Sequence, residues 1–115
     1  MPGSNPIPQE AVAAIAAWCA SRVEDEHTDD LRIEHETDRS RVTIVERRPP
    51  WDGGPGEWTR TTVAQLRYAS SDGHWSLFCA DGNGRWCPYD DAPASSDVST
   101  LLEEIDDDPT GIFWG

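Results

Sequence analysis

The stretch Trp75-Ser-Leu-Phe-Cys-Ala-Asp-Gly-Asn-Gly-Arg-Trp86 decides the fold. Trp75, Leu77 and Cys79 alternate with Ser76, Phe78 and Ala80, and apolar residues on nearly both sides predict a strand inside a sheet. Asp81-Gly-Asn-Gly84 puts Asp first and Gly last, which suits a type I turn followed by a left-handed glycine. The chain then returns as a strand over Arg85 to Asp90. Pro88, which cannot donate to a ladder, places that strand at an edge. The turn also sets the register: Asp81 pairs with Arg85, Leu77 faces Tyr89, and Cys79 lies across from Cys87.

Toward the N-terminus, Trp58 to Ala69 returns Thr, Val, Leu and Tyr in a long strand, closed by the turn Ser70-Ser71-Asp72-Gly73. Leu31, Ile33 and His35 alternate with Arg32, Glu34 and Glu36, and Val42 to Arg48 is rich in β-branched residues. These are two more antiparallel strands, joined by a polar turn over Thr37 to Ser40. The Pro, Gly and Asp between Pro49 and Glu57 make a loop that carries Trp51. Ahead of the strands, Val12, Ile15, Cys19 and Val23 recur at spacings of three and four after Pro8, so a helix with one buried stripe is expected there, Trp18 flanking it.

Beyond the hairpin, Ser96 is placed to cap a helix whose Val98, Leu101, Leu102 and Ile105 share one face. Asp108-Pro-Thr-Gly111 reads as a turn, and Ile112-Phe-Trp114 as a buried closing segment. Residues 1–7 read as a disordered leader and 8–115 as one α+β domain. The expected architecture is a five-stranded antiparallel meander with an N-terminal and a C-terminal helix packed on one face.

Twenty-two acidic residues against nine basic ones, every one of the nine an arginine, give a formal net charge of −13. Nucleic acid is not an expected partner, because affinity for it comes from neutralising phosphates with Lys and Arg. An anionic membrane surface is disfavoured for the same reason. The N-terminus lacks the basic region of a signal peptide, and Ala11 to Ala20 is too short to span a bilayer, so a cytoplasmic location is expected. Three widely spaced cysteines make no disulfide framework. The absence of Lys removes Schiff-base chemistry and the lysine of a phosphate-binding loop.

Several motifs in fixed order carry a resemblance. They are Val42-Thr-Ile-Val-Glu-Arg-Arg-Pro-Pro-Trp51, Trp58-Thr-Arg60, Leu66-Arg-Tyr68, Trp75-Ser-Leu-Phe78, Asn83-Gly-Arg-Trp86, Tyr89-Asp90 and the closing Leu101-to-Gly115 segment. From Ile15 onward the chain resembles the short bacterial proteins catalogued as domain of unknown function 3024. That resemblance implies no activity, cofactor or partner. The resemblance implies an aromatic at position 79 and often a His at position 87; both are Cys here.

No catalytic signature emerges from the residues themselves. Cys79 and Cys87 with Cys19 or His74 lack the paired knuckles of a zinc site, and His27, His35 and His74 pair with no nucleophile. We expect no metal and no cofactor. Trp18, Trp58, Trp75 and Trp114 read as core, whereas Trp51, among Pro and Gly, reads as an exposed anchor for a partner. Asp106, Asp107 and Asp108 end the last helix, where each acid costs a few tenths to about 1 kcal/mol against the macrodipole. An internal arginine, Arg85 or Arg67, is expected to answer Asp106 or Asp108. The functional reading is a small acidic protein-binding module rather than an enzyme. Trp51 would anchor a partner with a basic surface, and Glu24, Asp25 and Glu26 with Asp106 and Asp107 would complement its charge. The alternative is a small enzyme or small-molecule binder that uses an aromatic and Arg-lined sheet face.

Overall fold

Strands with alternating apolar residues can bury only one face each, and two helices, each with a buried line of residues, supply the cover. The computed structural model describes residues 7–23, 31–50, 56–81, 83–109 and 111–114. In chain order these form α1 (Gln9–Arg22), β1 (Arg32–Asp38), β2 (Arg41–Arg48), β3 (Thr59–Ala69), β4 (His74–Ala80), β5 (Trp86–Pro88) and α2 (Val98–Asp107). The sheet order is β1-β2-β3-β4-β5, every neighbour antiparallel, which is the expected meander. α1 lies over β1 and against α2, and α2 lies over β4, so both helices cover one face.

That covered face holds the core. Trp75, Leu77 and Cys79 of β4 meet Leu66 and Ala64 of β3 and Val42 and Ile44 of β2 beneath Ile15 and Cys19 of α1 and Leu101, Leu102 and Ile105 of α2. On α1 the fully buried line is Ala11, Ile15 and Cys19, spaced by four, with Val12 and Val23 half-buried at its rim. Ile7 is also buried in this cluster. Burial, followed by the negative charge of Glu34, raises the Cys19 thiol to a pKa of about 11, consistent with a small apolar side chain in the core.

The β4–β5 hairpin has the expected register. Cys79 pairs with Cys87, the Asp81 amide donates to the Arg85 carbonyl at 2.8 Å, and the Tyr89 amide donates to the Leu77 carbonyl at 2.9 Å. Gly84 takes a φ of 81°, the left-handed conformation that its place in the turn requires. β5 is shorter than the expected Arg85–Asp90: regular pairing ends at Pro88, the Tyr89 amide adds its one bond to Leu77, and a two-way bridge between Trp75 and Ser95 follows further along β4. The β1–β2 turn is also tighter than expected. Thr37 and Asp38 stay in the strand, and Arg39 and Ser40 alone make the turn, with Arg39 at a φ of 57°.

α2 is capped by Asp97 rather than Ser96, its carboxylate accepting from the Ser99 amide at 2.9 Å. Ser96 lies one position too early; Ser95 serves the cap instead, its hydroxyl accepting from the Asp97 amide.

Candidate functional site

Among the described residues, five strands with both helices on one side leave the other face of the sheet uncovered, and a β-bulge decides what that face carries. In the β2–β3 ladder Ile44 pairs with Ala64 but Val45 pairs with Thr62, so Val63 is the extra residue. Val63 and Ala64 both join the helix-side core. The alternation of β3 is thereby shifted by one, and Arg60 and Thr62 before the bulge share the uncovered face with Gln65 and Arg67 after it. With Arg32, Glu34, Glu36 and Asp38 of β1 and Arg41, Thr43, Val45 and Arg47 of β2, the strands present five arginines and three carboxylates there.

Two groupings occupy this face. At the end of the sheet where β2 leaves and β3 enters, the Arg32 guanidinium lies 4.3 Å from the Trp58 ring centre, and Arg47 pairs with Glu34 at 3.9 Å. With Glu57 these residues line an open depression of about 450 Å³. Trp58 is therefore half-buried on the open face and not in the core as expected: it precedes the bulge, on the side of β3 whose outward parity matches Arg60. Nearby, Arg60 of β3 forms a two-pronged ion pair with Glu36 of β1 that spans β2, and Val45 on the same face is fully buried. The hydrogen bond from Arg60 holds the Glu36 carboxyl below the usual range.

The second grouping lies past the bulge. Gln65, only 6% exposed, donates through Nε2 to Thr43 Oγ1 at 3.1 Å and accepts from Arg67 Nε at 2.7 Å. The Arg67 guanidinium sits 3.8 Å from the Phe78 ring centre, and Arg41 stands directly across from Arg67 in the ladder. Partial burial and then the charge of Arg41 pull the Arg67 pKa below the ordinary arginine value. Among the described residues neither Arg41 nor Arg67 forms an ion pair.

The acidic end of the molecule is arranged differently. Asp106 accepts from Trp18 Nε1 at 3.1 Å and forms an ion pair with Arg22, whose guanidinium lies 5.6 Å from the Trp18 ring centre and 4.8 Å from that of Trp114. An internal arginine does answer the acidic helix end, but it is Arg22 of α1 and not Arg85 or Arg67, because α1 and α2 pack with their C-terminal ends together. Asp108 is answered by backbone: its two oxygens accept from the Phe113 and Trp114 amides at 3.0 and 2.8 Å. Trp114 Nε1 donates to the Ile105 carbonyl, and Phe113 packs on Tyr89. Of the closing segment Phe113 is buried, Trp114 half-buried, and Ile112, expected to be buried, is 46% exposed.

Of the residues expected to bind a partner, Asp106 is thus held internally and Asp107 is exposed. Trp51, Glu24, Asp25 and Glu26 lie outside the described residues. The Arg67 grouping was missed as a site, although its signal was present: Gln65 and Arg67 alternate with Leu66 and Tyr68 in the strand period.

A single antiparallel sheet with one helix-covered and one arginine-bearing face defines a small α+β protein, with no helix long and apolar enough to cross a membrane among the described residues. The chain belongs to the family described as Domain of unknown function (DUF3024), whose model matches residues 4–115. No curated protein and no solved structure matches it.

Proposed function

We propose that this protein is a protein-binding module whose contact surface is the uncovered sheet face, with Trp51 in the adjoining β2–β3 loop as a hydrophobic anchor. The supporting observation is the excess of arginines over carboxylates on that face, in a chain of net charge −13. Such a face attracts acidic residues while the rest of the surface repels them, so contact is restricted to one orientation. A second reading has its own observation. Asp107 is exposed beside Asp106, and Glu24 and Asp25 follow Arg22 in the chain by two and three positions, a grouping that suits a partner with a basic surface.

Capture from an extract of the native host at low salt, with identification of what salt elutes, separates these. Thr62→Glu, which adds a charge to the middle of the sheet face, is expected to abolish capture of the same protein that the unaltered chain retains. Asp107→Arg is expected to leave it unchanged. The opposite pattern would replace the first reading by the second. A small molecule recovered from the denatured protein, with no protein captured, would favour a ligand in the depression beside Trp58.

A further inference from the structure

Arg67 is held as a binding arginine is held. Its Nε is committed to Gln65, which Thr43 fixes in turn, and its guanidinium rests on Phe78, so the rotamer freedom a partner would otherwise have to remove is already gone. The two Nη groups, four N–H donors, are left over. Arg41 is the direct cross-strand neighbour, and like charges directly opposed destabilise a sheet. Asp38 stands across from Arg41 on its other side without forming an ion pair with it. Among the described residues no carboxylate forms an ion pair with either arginine, in a chain with 22 acidic residues.

We propose that Arg67 and Arg41 form a binding site for one carboxylate side chain of an acidic peptide segment in the partner. This rests on the reading of the sheet face as the contact surface. A planar carboxylate matches the forward edge of the Arg67 fork, accepting from both Nη groups, while Arg41 supplies a second charge from the neighbouring strand. A phosphate offers similar acceptors, but it carries up to two charges against a protein of net charge −13, so the long-range repulsion it meets is up to twice as large. The ion pairs Arg60–Glu36 and Arg47–Glu34 show the contrast on the same face: there the sheet supplies its own carboxylate.

The test is a titration of the isotope-labelled protein, followed at the Arg67 Nε–H resonance, with three probes: the capped tripeptide Gly-Glu-Gly, its Gly-Gln-Gly counterpart and inorganic phosphate. A saturable shift is expected with the Glu peptide and none with the Gln peptide. Arg41→Gln is expected to weaken the response about ten-fold, the value of one charge-assisted hydrogen bond. Ser76→Glu, which sets a carboxylate directly across from Arg67 in β4, is expected to abolish it. An equal response to the Gln peptide, or a titration unaltered by Arg41→Gln, would overturn the site. Tighter binding of phosphate than of the Glu peptide would overturn the carboxylate assignment. The two readings fail separately: a missing peptide response with capture still abolished by Thr62→Glu removes this site alone, whereas a peptide response with capture indifferent to Thr62→Glu removes the sheet face as the docking surface alone.

Discussion

Arg22 and Arg67 are the same kind of residue in nearly the same kind of setting, and the difference between their surroundings separates a charge paired within the chain from one that is not. Arg22 lies against two tryptophan rings and pairs with Asp106, joining the ends of α1 and α2 to the closing segment. Arg67 lies on one phenylalanine ring, is oriented by a neutral glutamine and faces another arginine. The first arrangement satisfies its charge within the chain; the second fixes a charge in place and leaves it unanswered. Charge-assisted contacts therefore contribute to stability at one end of the molecule, and under the proposed function would contribute to recognition on the open face of the sheet.

The largest test of that contrast removes the closing segment. Deleting residues 112–115 takes away the buried Phe113, the Trp114 ring beside Arg22 and the donors to Asp108, and should lower stability by about 3 kcal/mol or more, measured by chemical denaturation. An unchanged midpoint would show that the helix ends hold without it. Arg22→Gln should cost about 1–2 kcal/mol, combining a partly desolvated cation–π contact with one ion pair. Arg41→Gln is the matched change on the open face, and it should fall within about 0.5 kcal/mol of zero, on the stabilising side, because it relieves repulsion. Equal losses from the two substitutions would erase the distinction.

A smaller effect comes from the turn that leads into Arg41. Arg39 occupies a left-handed conformation that glycine adopts without strain, so Arg39→Gly should raise stability by about 0.5–1 kcal/mol. A loss there would mean that the Arg39 side chain contributes more than its backbone costs. The smallest effect belongs to Glu36. Its folded-state pKa lies below the ordinary 4.5, so its contribution is present above that value and is lost as the pH falls through the folded-state pKa. Because the pair with Arg60 is largely solvent-exposed, the difference between the unaltered protein and Glu36→Gln should be only a few tenths of a kcal/mol at pH 7, and should vanish in acid.

What the sequence made legible were local rules. The Asp81-to-Gly84 turn fixed the Cys79–Cys87 register because turn chemistry and alternation agree there, and Val98, Leu101, Leu102 and Ile105 marked the buried face of α2 for the same reason. Two kinds of information were not local. The bulge at Val63 leaves no mark in a run of Thr, Val, Ala and Gln, since which residue is extra depends on the partner strand; that is why Trp58 was assigned to the core. The partner of Asp106 depended on how two helices 75 residues apart in sequence align, and Arg22 is close only because their C-terminal ends meet. The arginine-lined face itself could be read from the strand period, but which of its arginines would lack an internal carboxylate could not.

The two margins of the sheet limit how anything can approach it. β5 stops after three residues at a proline, so a strand from another chain would find no continuous row of backbone donors there. β1, the opposite margin, sets Arg32, Glu34, Glu36 and Asp38 along its length, and an added strand would have to bring its own side chains into register with that row of one positive and three negative charges. β-augmentation and edge-to-edge polymerisation are both discouraged, even though no helix covers this face of the sheet among the described residues. Under the proposed function a partner would come down onto that face side chain first, and spacing between its residues, rather than its willingness to form a strand, would be the property selected.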